Sequence, residues 1–246
     1  MIVGLRAAWR LLRCVVHGLH GLAIVLLRFG SFDAAQRHAR IRWWSAKMLR
    51  LMGIAMQVEG RVHDGGTLLV ANHISWLDIN ALHAVVPQAR FVSKADIQSW
   101  PLVSKLADAA DTLYLQRERK RDALRVVHVV AQALTAGQLV AVFPEGTTSD
   151  GRDLLPFHAN LLQAAIATGT PIQPVALRFS DARERISRSV EFVGATTLVE
   201  SLWRVACAER LVAHVTLLPA RPSAGVDRRA LSQALRDDIA AHLAAH

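Results

Sequence analysis

Cysteine is scarce in this 246-residue chain, and a serine-based catalytic motif is absent. The two cysteines, Cys14 and Cys207, do not indicate a disulfide framework, and neither has a partner at metal-ligand spacing. The chain has no G-x-S-x-G segment, which argues against the usual serine hydrolase site. It also has no internal repeat and no low-complexity linker. These absences favour a compact protein in a reducing compartment.

Acidic residues are nearly missing from the first 50 residues, which contain nine lysines and arginines but only Asp33 on the acidic side. The remaining residues are almost neutral, so the net charge of +9 is a property of the N-terminal segment. Three of the six tryptophans lie among these cations. This mixture fits an anionic bilayer surface better than nucleic acid, so we predict a membrane-binding segment over residues 1–53.

A long uninterrupted apolar run is also missing from the first predicted helix, residues 7–27. Its longest stretch without arginine, Cys14 to Leu27, has 14 residues, whereas roughly 20 are needed to cross a bilayer. We expect a helix in the membrane interface, with a tilted spanning helix or a helix docked on the protein as alternatives. A second helix, capped by Ser31 or Asp33, is predicted as its antiparallel partner. The polar residues of the first helix share one face: Arg6, Arg10, Arg13, His17 and His20.

Residues 54–246 alternate between apolar strand-like runs and amphipathic helix-like segments. This alternation predicts an α/β fold with a largely parallel mixed sheet covered by helices, which we treat as a second domain. The predicted strands are 54–62, 67–72, 90–93, 112–116, 138–143, 172–178, 189–193 and 213–218. The predicted helices are 76–86, 100–109, 119–136, 158–168, 198–207 and 227–244.

The stretch Leu68–Asp78 combines a buried strand with polar residues at its C-terminal end. The apolar run ends at Ala71, and Asn72 and His73 follow before helical patterning begins. Side chains five residues apart in one helix point roughly 140° apart, so His73 and Asp78 meet only if His73 precedes the helix. We predict this turn, in which the carboxylate binds one ring nitrogen and leaves the other as a base.

A second polar segment, Phe143–Ser149, reads FPEGTTS and follows another buried strand. Because ligands collect at the C-terminal ends of parallel strands, His73 and Glu145 are expected to converge. Together, N-H-x4-D and F-P-E-G-T resemble the motifs of the 1-acyl-sn-glycerol-3-phosphate acyltransferase family, the lysophospholipid acyltransferases, in order and separation. The resemblance covers residues 58–179.

The resemblance implies that His73 takes the proton from a lysolipid hydroxyl, whose oxygen then attacks an acyl thioester. Asp78 holds the imidazole and stabilises the imidazolium. The implied donor is a thioester of acyl carrier protein or coenzyme A, with no metal and no bound cofactor. The implied product is phosphatidic acid, made from 1-acyl-sn-glycerol-3-phosphate. The cationic residues and tryptophans of the N-terminal segment predict that the protein lies at the cytoplasmic face of the inner membrane.

Three further substrate-binding residues are inferred from the resemblance. Lys94 ends an apolar strand, and the family has a similar lysine near the thioester carbonyl or a substrate anion. Arg117 corresponds to an arginine that follows a strand and grips phosphate. Asn72 is expected either to support the turn or to donate to an oxyanion.

In the second motif, Glu145, Gly146, Thr147 and Thr148 are inferred to bind substrate. Members that use glycerophosphate usually carry arginine where this chain has Thr148. This departure weakens the inference that the acceptor is lysophosphatidic acid. Arg152 is a candidate replacement, and lyso-ornithine lipid is the alternative acceptor.

Two other classes of protein share some of these features. A lipid-binding protein on the same fold would have no turnover, and a lipid hydrolase would use the same base with water. The intact His73, Asp78 and Glu145 argue against the first class. The missing serine motif argues against the usual chemistry of the second.

Overall fold

The computed structural model describes residues 2–115 and 120–245, and within them an N-terminal pair of helices precedes alternating strands and helices. The strands are β1 (Ile54–Gly60), β2 (Thr67–Ala71), β3 (Arg90–Lys94), β4 (Leu113–Leu115), β5 (Leu139–Val142), β6 (Ile172–Ser180) and β7 (Leu211–Leu217). The helices are α1 (Ile2–Leu27), α2 (Ala34–Met52), α3 (Leu77–Val85), α4 (Pro101–Ala109), α5 (Lys120–Thr135), α6 (Leu162–Thr168), α7 (Leu198–Cys207) and α8 (Arg228–Ala245). The predicted division at residue 53 falls between α2 and β1, and separate domains stay a prediction.

The strands form one sheet in the order β1-β7-β6-β2-β5-β3-β4. Neighbouring strands are parallel except for β6 and β7. This confirms the predicted α/β fold with a largely parallel sheet. Because β2, β5, β3 and β4 are parallel neighbours, their C-terminal ends lie at one edge of the sheet, where ligands bind in such folds.

Helices cover both faces of the central strand β2, whose five residues are all buried. Leu69 and Ala71 pack into one apolar cluster with residues of α2, α3 and α7. Leu68 and Val70 point to the other face and pack with α5, α6 and α8. This alternation is the period of a strand, and it explains the continuous apolar run before His73.

α1 and α2 form the predicted antiparallel hairpin. Asp33 caps α2, because its side chain accepts the Gln36 N–H while the Gln36 side chain accepts the Asp33 N–H. The helices approach closely at Gly21, where an added Cβ would lie 2.2 Å from the Trp44 indole nitrogen. The imidazole of His17 is buried there, with Nε2 3.0 Å from the Trp44 carbonyl oxygen.

Arg6, Arg10 and His17 of the polar stripe of α1 face the protein, while Arg13, His20 and the apolar side of the helix are exposed. Arg6 and Arg10 donate to carbonyl groups at the end of α7, and His17 is buried against α2. These three residues therefore dock the helix on the protein, which was one of the alternatives to a helix in the membrane interface. By length and composition, Val3–Leu27 is sufficient to cross a membrane. Its exposed large apolar residues are Val3, Leu5, Trp9, Leu12, Val15, Val16, Leu19, Leu26 and Leu27.

The predicted strand 189–193 is wrong, because residues Arg188–Val190 form a 3-10 turn. Phe192 then makes single hydrogen bonds to two different loops instead of a ladder. Its N–H donates to the Ile74 carbonyl at 3.3 Å, and its carbonyl accepts the Thr148 hydroxyl. The predicted helix 158–168 is also shorter than expected, since α6 begins only at residue 162 after a 3-10 turn.

Candidate active site

His73 and Asp78 meet as the spacing predicts, with His73 in the turn after β2 and Asp78 in the first turn of α3. Nδ1 of His73 donates to Oδ2 of Asp78 at 2.8 Å. The same oxygen accepts the N–H groups of Ile74 at 2.7 Å and Ser75 at 2.9 Å. Three donors on one fully buried carboxylate oxygen fix both the turn and the orientation of the imidazole.

Nε2 is the imidazole nitrogen left for chemistry, since Nδ1 is bound to Asp78. It has no hydrogen-bond partner among the described residues. The His73 side chain is 19% exposed, and its ring stacks on Phe143 with centroids 4.0 Å apart. A held and partly accessible imidazole with a carboxylate on its other nitrogen is the geometry of a general base. Within residues 2–115 and 120–245, no group of three or more His, Cys, Asp or Glu side chains is arranged to hold a metal.

Glu145 ties the turn of His73 to a second loop. Its Oε1 accepts the backbone N–H of His73 at 2.7 Å, and its Oε2 accepts that of Leu155 at 3.0 Å. The side chain is 3% exposed, and burial raises its pKa more than the two backbone hydrogen bonds lower it. Both oxygens are therefore used to position main chain, and substrate binding by Glu145 stays a prediction.

The rest of the second motif closes around the turn of His73. Gly146 has a φ of 70°, the left-handed region that glycine adopts without strain, and its N–H donates to the Phe143 carbonyl at 3.1 Å. Thr147 is exposed, and the hydroxyl of Thr148 donates to the Phe192 carbonyl. Substrate contacts by Gly146, Thr147 and Thr148 stay predictions.

Two backbone hydrogen bonds to the turn after β2 have no signal in the sequence. The N–H of Ser149 donates to the His73 carbonyl at 2.8 Å, and the N–H of Phe192 donates to the Ile74 carbonyl. Both are bonds from the backbone of one loop to the backbone of another, so residue type does not reveal them. Together they hold the loops 145–152 and 188–197 against residues 72–76, the catalytic turn between β2 and α3.

Asn72 is buried and bound to the neighbouring strand β6. Its Nδ2 donates to the Leu177 carbonyl at 2.9 Å, and its Oδ1 accepts the Leu177 N–H at 2.7 Å. A side chain thus continues the pairing of β2 with β6 while the main chain turns away at His73. This is the supporting role, one of the two roles considered for Asn72, and donation to an oxyanion stays a prediction.

Lys94 is the last residue of β3, which lies beside β5 in the sheet. The parallel pairs Phe91–Ala141 and Val70–Val142 place the ends of β3, β5 and β2 at the same edge. Arg117 lies outside the described residues, and the strand before it, β4, ends at residue 115. Substrate binding by Lys94 and Arg117 stays a prediction.

Arg152, the candidate replacement for a phosphate-binding arginine, is held in an ion pair. Its Nη1 lies 2.5 Å from the Glu191 carboxylate and 3.6 Å from that of Asp150. Glu191 is followed by Phe192, so the pair joins the two loops beside the catalytic turn. A phosphate would have to compete with two carboxylates for this guanidinium.

An apolar cavity of about 430 Å³ lies beside the catalytic turn, between α1, α2, α3, α4 and α7. Trp76 and Ile79 of the catalytic turn and α3 line it, as do Gly18 of α1 and Phe91 of β3. The Phe91 ring stacks on Phe143, with centroids 5.7 Å apart, and Phe143 stacks on His73. The cavity wall is therefore continuous with the imidazole.

Comparison with known proteins agrees with this geometry. The acyltransferase family matches residues 54–178, which contain both motifs. The chain is 36% identical to a lyso-ornithine lipid O-acyltransferase of Pseudomonas aeruginosa, over 93% of this chain and 88% of that protein. It is 39% identical to a 1-acyl-sn-glycerol-3-phosphate acyltransferase of Neisseria meningitidis, over 74% and 71% of the two chains.

A solved structure has the same fold. The 1-acyl-sn-glycerophosphate acyltransferase PlsC of Thermotoga maritima superimposes with a TM-score of 0.69, covering 95% of this chain and 96% of that one, at 19% identity. This similarity supports the fold, while the sequence match of residues 54–178 and the two relatives above establish the family. On this evidence, the chain belongs to the acyltransferase family.

Proposed function

We propose that this protein transfers a fatty acyl group from a thioester to the free hydroxyl of a lysolipid. The observation that carries the proposal is the imidazole of His73, which is bound to Asp78 through Nδ1 and open at Nε2. Nε2 takes the hydroxyl proton as the oxygen attacks the thioester carbonyl carbon. The C–S bond then breaks, and the imidazolium returns its proton to the leaving thiolate.

The apolar cavity is suited to an acyl chain. Its volume lies in the usual range of ligand pockets, about 300–1,000 Å³, and its lining is mainly apolar. The donor is a thioester of acyl carrier protein or coenzyme A acting as co-substrate, and the chemistry needs no bound cofactor. Lys94 and the backbone near Gly146 are proposed to face the carbonyl oxygen or a substrate anion.

The first candidate acceptor is 1-acyl-sn-glycerol-3-phosphate, with phosphatidic acid as product and Arg117 on the phosphate. The name of the Neisseria relative supports it. The second candidate is lyso-ornithine lipid, which the name of the Pseudomonas relative supports. A structural observation favours the second candidate, because the Thr148 hydroxyl is bound to Phe192 and Arg152 is paired with Glu191.

We further propose that the protein acts at the cytoplasmic face of the inner membrane. The exposed side of α1 is an apolar surface whose contact with water is unfavourable, and α2 has cations next to aromatic rings. Lys47 lies 4.9 Å and Arg40 5.8 Å from the centre of the Trp43 ring. Tryptophan and cations side by side are typical of contact with anionic lipid headgroups.

The test is an acyl-transfer assay with the purified full-length protein, in which both acceptors are offered with both donors. Wild-type protein should form a diacyl product, and His73→Ala should abolish turnover while leaving the fold intact, because the base lies at a strand end. His128→Ala, at an exposed histidine of α5, is the matched control. Near-normal turnover by folded His73→Ala protein would falsify the mechanism.

A further inference from the structure

Exposed apolar side chains are not confined to the N-terminal hairpin. On α7, which belongs to the region after residue 53, Val199 is 77% exposed and Trp203 is 46% exposed. The two residues are four apart and therefore share one face of the helix. Thr197 caps the helix, its hydroxyl accepting the Glu200 N–H at 3.2 Å, so the ridge formed by Val199 and Trp203 stands on a defined helical turn.

α7 packs against α1. At the C-terminal end of α7, Arg10 of α1 donates to the carbonyls of Ala206 and Ala208 at 2.9 and 2.8 Å. At its N-terminal end, Leu198 and Gly21 of α1 line the same apolar cavity. The two helices thus run side by side in opposite directions. Because α7 packs against α1, the ridge of Val199 and Trp203 lies on a helix adjacent to the one with the exposed apolar side.

We propose that α7 is a third membrane-contacting helix, whose Val199 and Trp203 enter the same lipid leaflet as the apolar side of α1. The inference rests on the proposed function at a membrane surface. Continuity with α1 argues for lipid as the occupant, because α1 is long and apolar enough to cross a membrane and its large apolar residues are exposed. Tryptophan at such an edge is typical of the membrane interface, where its ring is buried and its N–H stays near water.

α7 is also attached to the catalytic turn. The indole N–H of Trp76, three residues after His73, donates to the hydroxyl of Ser201 at 3.1 Å, and Ser201 is fully buried. Arg204 donates to the Glu191 carbonyl at 3.3 Å, which holds the loop 188–197 beside the same turn. α7 therefore connects the lipid to the catalytic turn. The depth at which Val199 and Trp203 enter the leaflet determines the distance of His73 from the headgroups.

The direct test is quenching of tryptophan fluorescence by lipid. The full-length protein is placed in vesicles of phosphatidylcholine and phosphatidylglycerol whose acyl chains are brominated. We expect Trp203→Phe to lose part of the quenched amplitude, because one lipid-exposed indole is removed. Val58→Trp in the Trp203→Phe background is the matched control, since Val58 is 47% exposed on the edge strand β1 and its indole should escape quenching.

A second measurement uses Val199→Ser with Trp203→Ser at limiting lipid. The partition coefficient into anionic vesicles should fall about tenfold or more, whereas Val58→Ser should leave it unchanged. An unchanged quenched amplitude in Trp203→Phe, or equal quenching of the indole at position 58, would overturn the inference. Shielding of Trp203 by a second protein copy would appear as unchanged quenching and would also count against it. Neither measurement needs turnover, so both decide on α7 even if the acyl-transfer assay fails.

Discussion

Asp78→Asn removes one negative charge from the catalytic turn while keeping its shape. Oδ2 of Asp78 accepts three hydrogen bonds, from His73, Ile74 and Ser75. Oδ1 is buried and has no partner among the described residues. The asparagine carbonyl can occupy the position of Oδ2 and keep the three donors paired. The imidazole then keeps its tautomer and orientation but loses the negative charge beside it.

The expected loss of kcat follows from that charge. An ion pair with charges about 4 Å apart contributes about 4 kcal/mol at an effective dielectric constant of about 20. The imidazolium of His73 forms only as the proton is transferred, so this stabilisation acts on the transition state. At about 1.36 kcal/mol for each factor of ten, kcat should fall roughly a thousandfold. The buried NH2 without an acceptor should also lower the free energy of unfolding by about 1–3 kcal/mol.

The assay measures thiol release and diacyl product with the full-length variant, together with its Tm. Asp238→Asn is the control, because Asp238 accepts two hydrogen bonds from Arg221 outside the site, and its kcat should stay at the wild-type value. A loss of less than tenfold in folded Asp78→Asn protein would refute charge stabilisation of His73. A loss well beyond a thousandfold would mean that the tautomer is not retained.

Three other substitutions give separate readouts. Gly18→Leu should shift donor preference toward shorter acyl chains, because Gly18 lines the cavity. The Tm should not fall, because an added Cβ meets nothing within 4 Å. An unchanged preference would show that the acyl chain lies elsewhere. Burial lowers the pKa of His83 to about 4, so the unfolded chain binds a proton more readily than the folded protein, and the wild type loses stability as the pH falls from about 6.5 to 4. His83→Gln should flatten this fall, and the change in the free energy of unfolding across this range should differ from that of the wild type by up to about 3 kcal/mol. An unaltered slope in thermal unfolding across this range would contradict this prediction. Thr148→Arg should raise the use of lysophosphatidic acid relative to lyso-ornithine lipid, measured as a ratio of kcat/KM; an unchanged ratio would mean that this position does not face the headgroup.

The catalytic pair was predictable because its parts are close in sequence. His73 and Asp78 are separated by five residues, so the geometry of one strand end and one helix start decides whether they meet. The convergence of Glu145 followed from a rule of parallel sheets and needed no knowledge of side-chain contacts. The cap of α2 was predicted at Ser31 or Asp33 for the same reason, since the capping side chain and the helix start are close in sequence, and the structure has Asp33.

The orientation of α1 was not predictable from its pattern. Helical periodicity tells which residues share a face, but not which face turns toward the protein. Here Arg6 and Arg10 bind carbonyl groups at the end of α7, about 200 positions away in sequence, and the apolar face is left outside. The strand predicted at 189–193 failed for a related reason, since Phe192 bonds to two loops that no local pattern connects to it.

The two hydrogen bonds of Glu145 join distant segments at a cost that depends little on the length of the chain between them. A single side chain joins residues 72 positions apart, across a segment that contains β3, α4, β4 and α5. The entropy of closing such a loop grows only with the logarithm of its length, about 0.6 kcal/mol for each doubling. Surface insertions between the two motifs therefore add little to the cost of bringing them together. A one-residue insertion within 72–78 or 143–149, by contrast, alters the register on which every contact of the site depends.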